Sequence, residues 1–426
     1  MQAPLRQRDT AHVSERIAIL PRLLPLYAVI FAGFVGYSLM ITVFTPLLLH
    51  PDNLLLPQAT PAGTRSLILG GLLALYPLGQ FFSSPILGSL SDRVGRRPVL
   101  LASLSLTTGC YVLIVWSLYA NWLWLLALAC LCAGAAESNI VCAQGAIADM
   151  MRPEQREQYF GYIYLSASLA YIVGPLIGGK LADSSLSPWF GAPLPFALVC
   201  LLLASTTAVI ALRFRDAHTG AGTTKRPANT LTSLTIVFRP DLRRVFGINL
   251  LLYLAAFGFF RAYPMYLAQA LHLGVSRISE FVAWVGLPIV LVNLGVTGFV
   301  ASRVDPPRLT LIAAIGTGVF VSAVALVPDR ALLWPTLFLA GGAIALLLPA
   351  CAMLLSAQAG AQEQGLAMGG NQALQVGAEA LSGALAGVLA AISAHLPLPT
   401  LGVFALLAAA LLALRPITDP AGAKVV

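Results

Sequence analysis

From Ser66 to Ser91 the chain carries no charged residue, and then Asp92, Arg93, Arg96 and Arg97 arrive within six positions. The next charge after that knot is Glu137. Such charge-free runs constrain the fold more than any other feature. About 20 consecutive apolar residues are enough to cross the hydrocarbon core of a bilayer as a helix. The pattern recurs twelve times, at roughly 24–49, 66–90, 98–119, 122–148, 158–181, 193–212, 245–270, 278–301, 309–328, 332–356, 365–393 and 397–414. The expected fold is therefore an all-α membrane protein of twelve transmembrane helices.

Composition agrees. The chain is 58% hydrophobic and 10% charged, with a mean hydropathy of +0.85, whereas soluble domains carry roughly 25% charged residues. The net charge of +8 does not point to nucleic acid, because basic residues on a polytopic chain set topology. With the N-terminus placed in the cytoplasm, 20 Lys and Arg residues fall in cytoplasmic segments and four on the opposite side, Arg65, Lys180, Arg277 and Arg330. Both termini are expected to be cytoplasmic. The first apolar run reaches Leu49, too long for a signal-peptide core, and reads as a retained span. The six cysteines lie in apolar runs without metal-ligand spacing, so no metal site is expected.

The connections are short except one. Residues 213–244 are polar and basic, with a flexible "TGAGTTKRP" stretch. They divide the chain into an N-terminal six-helix half (1–212), a linker (213–244) and a C-terminal six-helix half (245–426). "GSLSDRVGRRP" at 88–98, after the second span, and "GFVASRVDPPR" at 298–308, after the eighth, share Gly, Arg and Val at the same offsets. Secondary transporters are built from such parallel halves.

Here the residues meet a known pattern. Gly88, Leu90, Asp92, Arg93, Gly95, Arg96 and Arg97 resemble the loop signature of the major facilitator superfamily, and the span count and halves fit along the whole chain. The resemblance implies two halves related by pseudo-two-fold symmetry. It also implies that Asp92 and Arg96 form a charge relay with Asp149, latching the halves in the outward-facing state. The alternative is that these arginines are positive-inside anchors. Gly95 suits a tight turn needing positive φ. A second stretch, "GYIYLSASLAYIVGPLIGG" at 161–179, resembles the antiporter motif of drug-efflux members through Gly161, Gly174, Pro175, Gly178 and Gly179. Ala170, Gly174 and Gly178 form one small-residue stripe for close helix contact. One departure stands out: efflux members carry an arginine in the fourth span where this chain has Cys130, four residues before Gly134.

Ionisable groups inside spans are costly and mark function. Glu137 lies midway along the fourth span, and a buried carboxylate there can hold and release a proton. Arg261 lies in the seventh span, near Tyr263, and stays protonated, so it needs an anion, either a substrate carboxylate or a protein acid. By the resemblance, spans 1, 4, 7 and 10 line the cavity, so Glu137 and Arg261 face each other, as a site or as a structural pair. Asn371, Gln375 and Glu379 form a polar stripe on the eleventh span, lining the cavity or bridging helices. Tyr37, Tyr76, Gln80, Tyr162 and Tyr164 are candidates for a cavity wall. Lys180 and Glu280 sit near outer helix ends.

The expected activity is secondary transport of a small organic molecule by alternating access, with proton-coupled export. Glu137 and Glu379 are the candidate proton carriers, and Arg261, Glu137, Gln375, Asn371 and Tyr263 the candidate substrate contacts. No cofactor is expected beyond the proton gradient, and the expected setting is the bacterial inner membrane, as a monomer without nucleic acid. The first alternative is proton-coupled import of an anionic metabolite or siderophore. The second is a membrane-embedded enzyme or receptor. Against an enzyme, the five histidines, His12, His50, His218, His272 and His395, lie near ends or loops and pair with no nucleophile. No soluble domain of receptor size is present.

Overall fold

The computed structural model describes residues 3–151, 156–215, 236–240, 242–296, 303–327, 329–359 and 364–414, with side chains except those of 3–22, 156–158, 160 and 296. Twelve helices among them are long and apolar enough to cross a membrane. Spans 1 to 6 are Leu23–Leu49, Ala62–Val94, Arg96–Ala120, Leu123–Met150, Gly161–Leu181 and Pro193–Arg213. Spans 7 to 12 are Arg243–Gln269, Val275–Gly295, Pro306–Leu326, Arg330–Gln358, Gln364–Ile392 and Pro397–Leu414. No strand occurs among the described residues. The all-α expectation holds, and each span lies within a few residues of its expected position. Most of the 213–244 linker and residues 298–302 of the second repeat lie outside the described residues.

Helix ends run past the apolar windows wherever a polar group finds a partner. Span 2 begins four residues earlier than expected because Arg65 is satisfied inside it. Its guanidinium donates to the carbonyls of Thr60 (3.0 Å), His50 (3.0 Å), Pro57 (3.2 Å) and Pro51 (3.3 Å), folding the connection from span 1 around itself. Arg65 is therefore buried instead of standing free as a topology marker. At the other end span 2 continues to Val94, and Gly95 alone, at φ 106°, separates it from span 3. The charge knot is thus almost wholly helical.

Spans 1, 4 and 7 are the most enclosed: 83%, 61% and 67% of their apolar windows are buried, against half or less for every other span. Around these three, span 2 lies along span 11 and span 5 lies along span 8, joining the halves. Glycine makes the first contact possible. A Cβ on Gly70 would lie 2.6 Å from Gly387 Cα and 2.7 Å from the Gly383 carbonyl, so these backbones touch, as small-residue interfaces in membranes allow.

Two spans are irregular inside the membrane. Span 8 ends in a π-helical segment, Val292–Val296. Span 4 is helical over Leu123–Ala136 and again over Asn139–Met150, with Glu137 and Ser138 between. The Ile140 and Val141 N–H groups donate to the Glu137 and Ser138 carbonyls (3.2 and 3.1 Å), a tightened turn of the kind that marks functional positions.

Candidate functional site

The two unusual charges of the C-terminal half meet each other. Arg261, eight residues before the end of span 7, is 1% exposed, and its Nη2 lies 3.3 Å from Glu379 Oε1 on span 11. Nη1 donates to the Phe257 carbonyl one turn back (3.1 Å). Tyr37, from span 1, completes the group. Its hydroxyl donates to Glu379 Oε1 (2.5 Å) and accepts a hydrogen bond from Arg261 Nη2. The guanidinium carbon lies 5.9 Å from the Tyr37 ring centroid, within cation–π range. Tyr76 of span 2 stacks on Tyr37 at 4.8 Å, and Tyr171 of span 5 meets it edge-on at 6.5 Å. Five spans from both halves thus converge on one ion pair.

Glu137 is elsewhere: of the two alternatives, a structural Glu137–Arg261 pair does not form, because Arg261 pairs with Glu379. It is 1% exposed, and neither carboxylate oxygen has a hydrogen-bond partner among the described residues. Its carboxylate lies against the bare backbone of Gly33 on span 1, where any Cβ would collide with it. Tyr171 lies within electrostatic reach of Glu137, Glu379 and Arg261. The physical reason for the mismatch is the acid on span 11. Glu379 and Tyr37 already satisfy Arg261, and an arginine without an anion at this depth is expensive.

The polar stripe on span 11 divides. Asn371 accepts from Asn249 Nδ2 (3.0 Å) and donates to the Tyr253 hydroxyl (2.7 Å), both on span 7, while Asn249 also donates to the Cys351 carbonyl on span 10 (3.1 Å). Asn371 therefore bridges helices, and Glu379 belongs to the ion pair. Gln375, partly buried, lies between them. Tyr263 is buried and stacks on Phe259 with centroids 4.7 Å apart, so it is a packing residue and not a partner of Arg261. Of the proposed aromatic wall, Tyr37 and Tyr76 join the site. Gln80 is partly buried, Tyr162 packs edge-on to Tyr27, and Tyr164 is 62% exposed.

The signature residues form a compact relay. Arg96 bonds Asp92 (2.6 Å), Asp149 (3.0 Å) and the Ser91 hydroxyl (2.6 Å). Gly145 makes room for it, since a Cβ there would sit 2.8 Å from the guanidinium carbon. Arg97 donates to the Ala211 carbonyl on span 6 (2.6 Å), Arg93 is exposed, and a Cβ on Gly88 would lie 3.7 Å from Val141. The Asp92–Arg96–Asp149 relay is present as expected, but these contacts bind spans 2, 3 and 4 within the first half and do not span the two halves.

The halves are tied at the opposite end. Gln269 of span 7 donates to Ser66 of span 2 (2.6 Å), and Lys180 of span 5 pairs with Glu280 of span 8 (2.6 Å). Arg277 holds the other oxygen of Glu280 (2.9 Å). The motif on span 5 divides between span 1 of its own half and span 8 of the other. Gly174 faces Ser38 and Val35, Gly178 faces Leu39, and Gly179 faces Ser279 of span 8. Pro175 lies inside the helix, and Gly161 has nothing within 4 Å of its Cβ position. Beyond the tie lies a cavity of about 870 Å³, lined by His50, Gly63, Asp183, Gln269 and His272 among others.

Sequence reasoning missed three contributors. Tyr171 reads as one more aromatic in a motif helix. Asn249 and Tyr253, four residues apart on span 7, are a short polar stripe that the periodicity argument could have found. The break at Glu137 has no signal, because "AAESN" contains neither Pro nor Gly.

Comparison with known proteins agrees with this architecture. Residues 26–260 match the family described as Major Facilitator Superfamily. Tetracycline resistance protein, class B, of Escherichia coli is 31% identical over 305 residues, covering 70% of this chain and 73% of that protein. Tetracycline resistance protein, class G, of Vibrio anguillarum is 28% identical over 321 residues, covering 74% and 78%. The crystal structure of the D-xylose-proton symporter superimposes with a TM-score of 0.75 over 93% of this chain and 98% of that one, at 16% identity, which speaks to fold.

Proposed function

The chain belongs to the Major Facilitator Superfamily, and from that premise we propose that it exports a small organic compound in exchange for protons. As a family member it is a multi-pass membrane transporter that moves small molecules by alternating access of its two halves. The observation that carries the coupling is Glu137, a fully buried carboxylate with no hydrogen-bond partner among the described residues, seated at the break of an otherwise helical span. An ionised group so placed is costly, so Glu137 carries its proton in this state and releases it when the halves rearrange. The Arg261–Glu379 pair, neutral as a unit, is where an anionic group of the substrate competes for the guanidinium.

The resistance proteins among its relatives favour export over import, and tetracycline is the first compound to test. The tied end, with Ser66, Gln269, Lys180 and Glu280, is the outer end, and the cavity beyond it is an outer vestibule. The proposed setting is the inner membrane with both termini in the cytoplasm, and the proposed working unit is a monomer without cofactor. The bias of Lys and Arg toward one side supports the orientation. Everted vesicles carrying a pH indicator test the direction. Uptake of tetracycline that alkalinises the lumen supports export. Loss of preloaded compound together with protons supports import and refutes the proposal.

A further inference from the structure

Span 1 touches both carboxylates that the reading above assigns to transport. Gly33 presents bare backbone to Glu137. One turn along, on the same helical face, Tyr37 bonds Glu379 and Arg261. Glu379 and Arg261 both lie in the second half of the chain, so the Tyr37 hydroxyl is a tie between halves at mid-membrane. The two contacts share one rigid helix: whatever moves Tyr37 moves Gly33.

We propose that Tyr37 is a positioning residue that couples the two carboxylates. By tying span 1 to the Arg261–Glu379 pair, it keeps Gly33 pressed on Glu137 and so keeps that carboxyl sealed until the pair is disturbed. The inference rests on the reading of Glu137 as the proton carrier. A proton arriving on Glu379 removes the carboxylate charge that accepts from the Tyr37 hydroxyl, and an anionic substrate group taking Arg261 removes the guanidinium that donates to it. Span 1 then shifts, water reaches Glu137, and its proton passes to that water. Tyr37 keeps its own proton throughout and supplies only position. Proton release thereby becomes conditional on events at the ion pair, as exchange requires.

The groups around both carboxylates fit this division. Glu379 faces Tyr37 from span 1 and Arg261 from span 7, with Tyr171 of span 5 in electrostatic reach. Tyr76 of span 2 backs the Tyr37 ring. Glu137 faces Gly33, which Ile140 also flanks, with Tyr171 again in reach. A merely structural Tyr37 acts through its ring, which packs on Tyr76; a coupling Tyr37 acts through its hydroxyl. Phenylalanine separates the two.

The test is Tyr37→Phe in everted vesicles, reading proton flux without substrate and tetracycline moved per proton. The expected result is normal accumulation in the membrane, a substrate-independent proton leak raised about tenfold, the scale set by one lost hydrogen bond to a charged group, and a fall in compound moved per proton. Glu379→Gln, which mimics the disturbed pair, is expected to leak likewise, and the double variant to leak no more than either single one. Should Tyr37→Phe fail to accumulate, the Glu379→Gln leak carries the test, and its absence overturns the proposal. Wild-type coupling without leak in Tyr37→Phe also overturns it. If Glu137→Gln is inactive in the same vesicles, the reading of Glu137 survives that outcome. If Glu137→Gln exchanges protons at full rate, the reading falls and the proposal with it.

Discussion

Replacing Arg261 with methionine removes the guanidinium and leaves Glu379 with Tyr37 alone. The pair is 3.3 Å apart, with side chains 1% and 14% exposed. At an effective dielectric near 20, two unit charges at that distance attract by about 5 kcal/mol before desolvation is counted. Desolvation consumes much of this, and removing one partner of a buried pair costs about 3–5 kcal/mol because the other charge is stranded. Here Glu379 keeps the Tyr37 donor and some exposure, so about 3 kcal/mol is the expected loss. Replacing both residues, Arg261→Met with Glu379→Gln, strands no charge and is expected to cost about 1 kcal/mol, as apolar replacements of buried pairs commonly do. The assay is a double-mutant cycle on denaturant unfolding of the purified chain in detergent. A single-variant loss below about 1 kcal/mol, or strictly additive losses, refutes the claim that Arg261 and Glu379 satisfy each other. The same Arg261→Met protein is expected to lose anionic compounds selectively in transport; equal loss of neutral ones makes the pair purely structural.

Two further outcomes follow from local geometry. Gly95→Ala forces a side chain into φ 106° and is expected to cost about 1–3 kcal/mol, read as a lower unfolding midpoint with the Arg96 ion pairs intact. Lys180→Met removes the 2.6 Å tie to Glu280; the pair is partly exposed, so it is worth at most about 1 kcal/mol. Labelling of a Ser66→Cys probe by a membrane-impermeant maleimide is then expected to rise a few-fold over the same probe with Lys180 present, and unchanged labelling counts against an outer tie.

The spans were legible because water dictates them: a charge-free apolar run of that length has one way to satisfy its backbone in lipid. Their ends were less so, since Arg65 is counted as a loop charge until its carbonyl partners are seen. The pairing inside the membrane was harder still. Sequence spacing fixes which residues share a face of one helix, but not which faces of different helices meet. Glu137 and Glu379 were equally eligible partners for Arg261 on composition, and the rotation of span 11 that brings Glu379 to Tyr37 decided it. For the same reason Asn371, on the same stripe as Glu379, became a helix bridge to Asn249 and Tyr253. The relay around Arg96 was readable as a set of residues, yet its confinement to spans 2, 3 and 4 required coordinates.

Export as proposed depends on Glu137 as the carrier of the exchanged proton. The most direct measurement is proton movement per tetracycline transported by Glu137→Gln in everted vesicles, beside the unaltered chain. The variant is expected to accumulate in the membrane, still bind the compound, and no longer alkalinise the lumen as compound enters. Compound-driven alkalinisation at the unaltered rate and ratio contradicts this expectation.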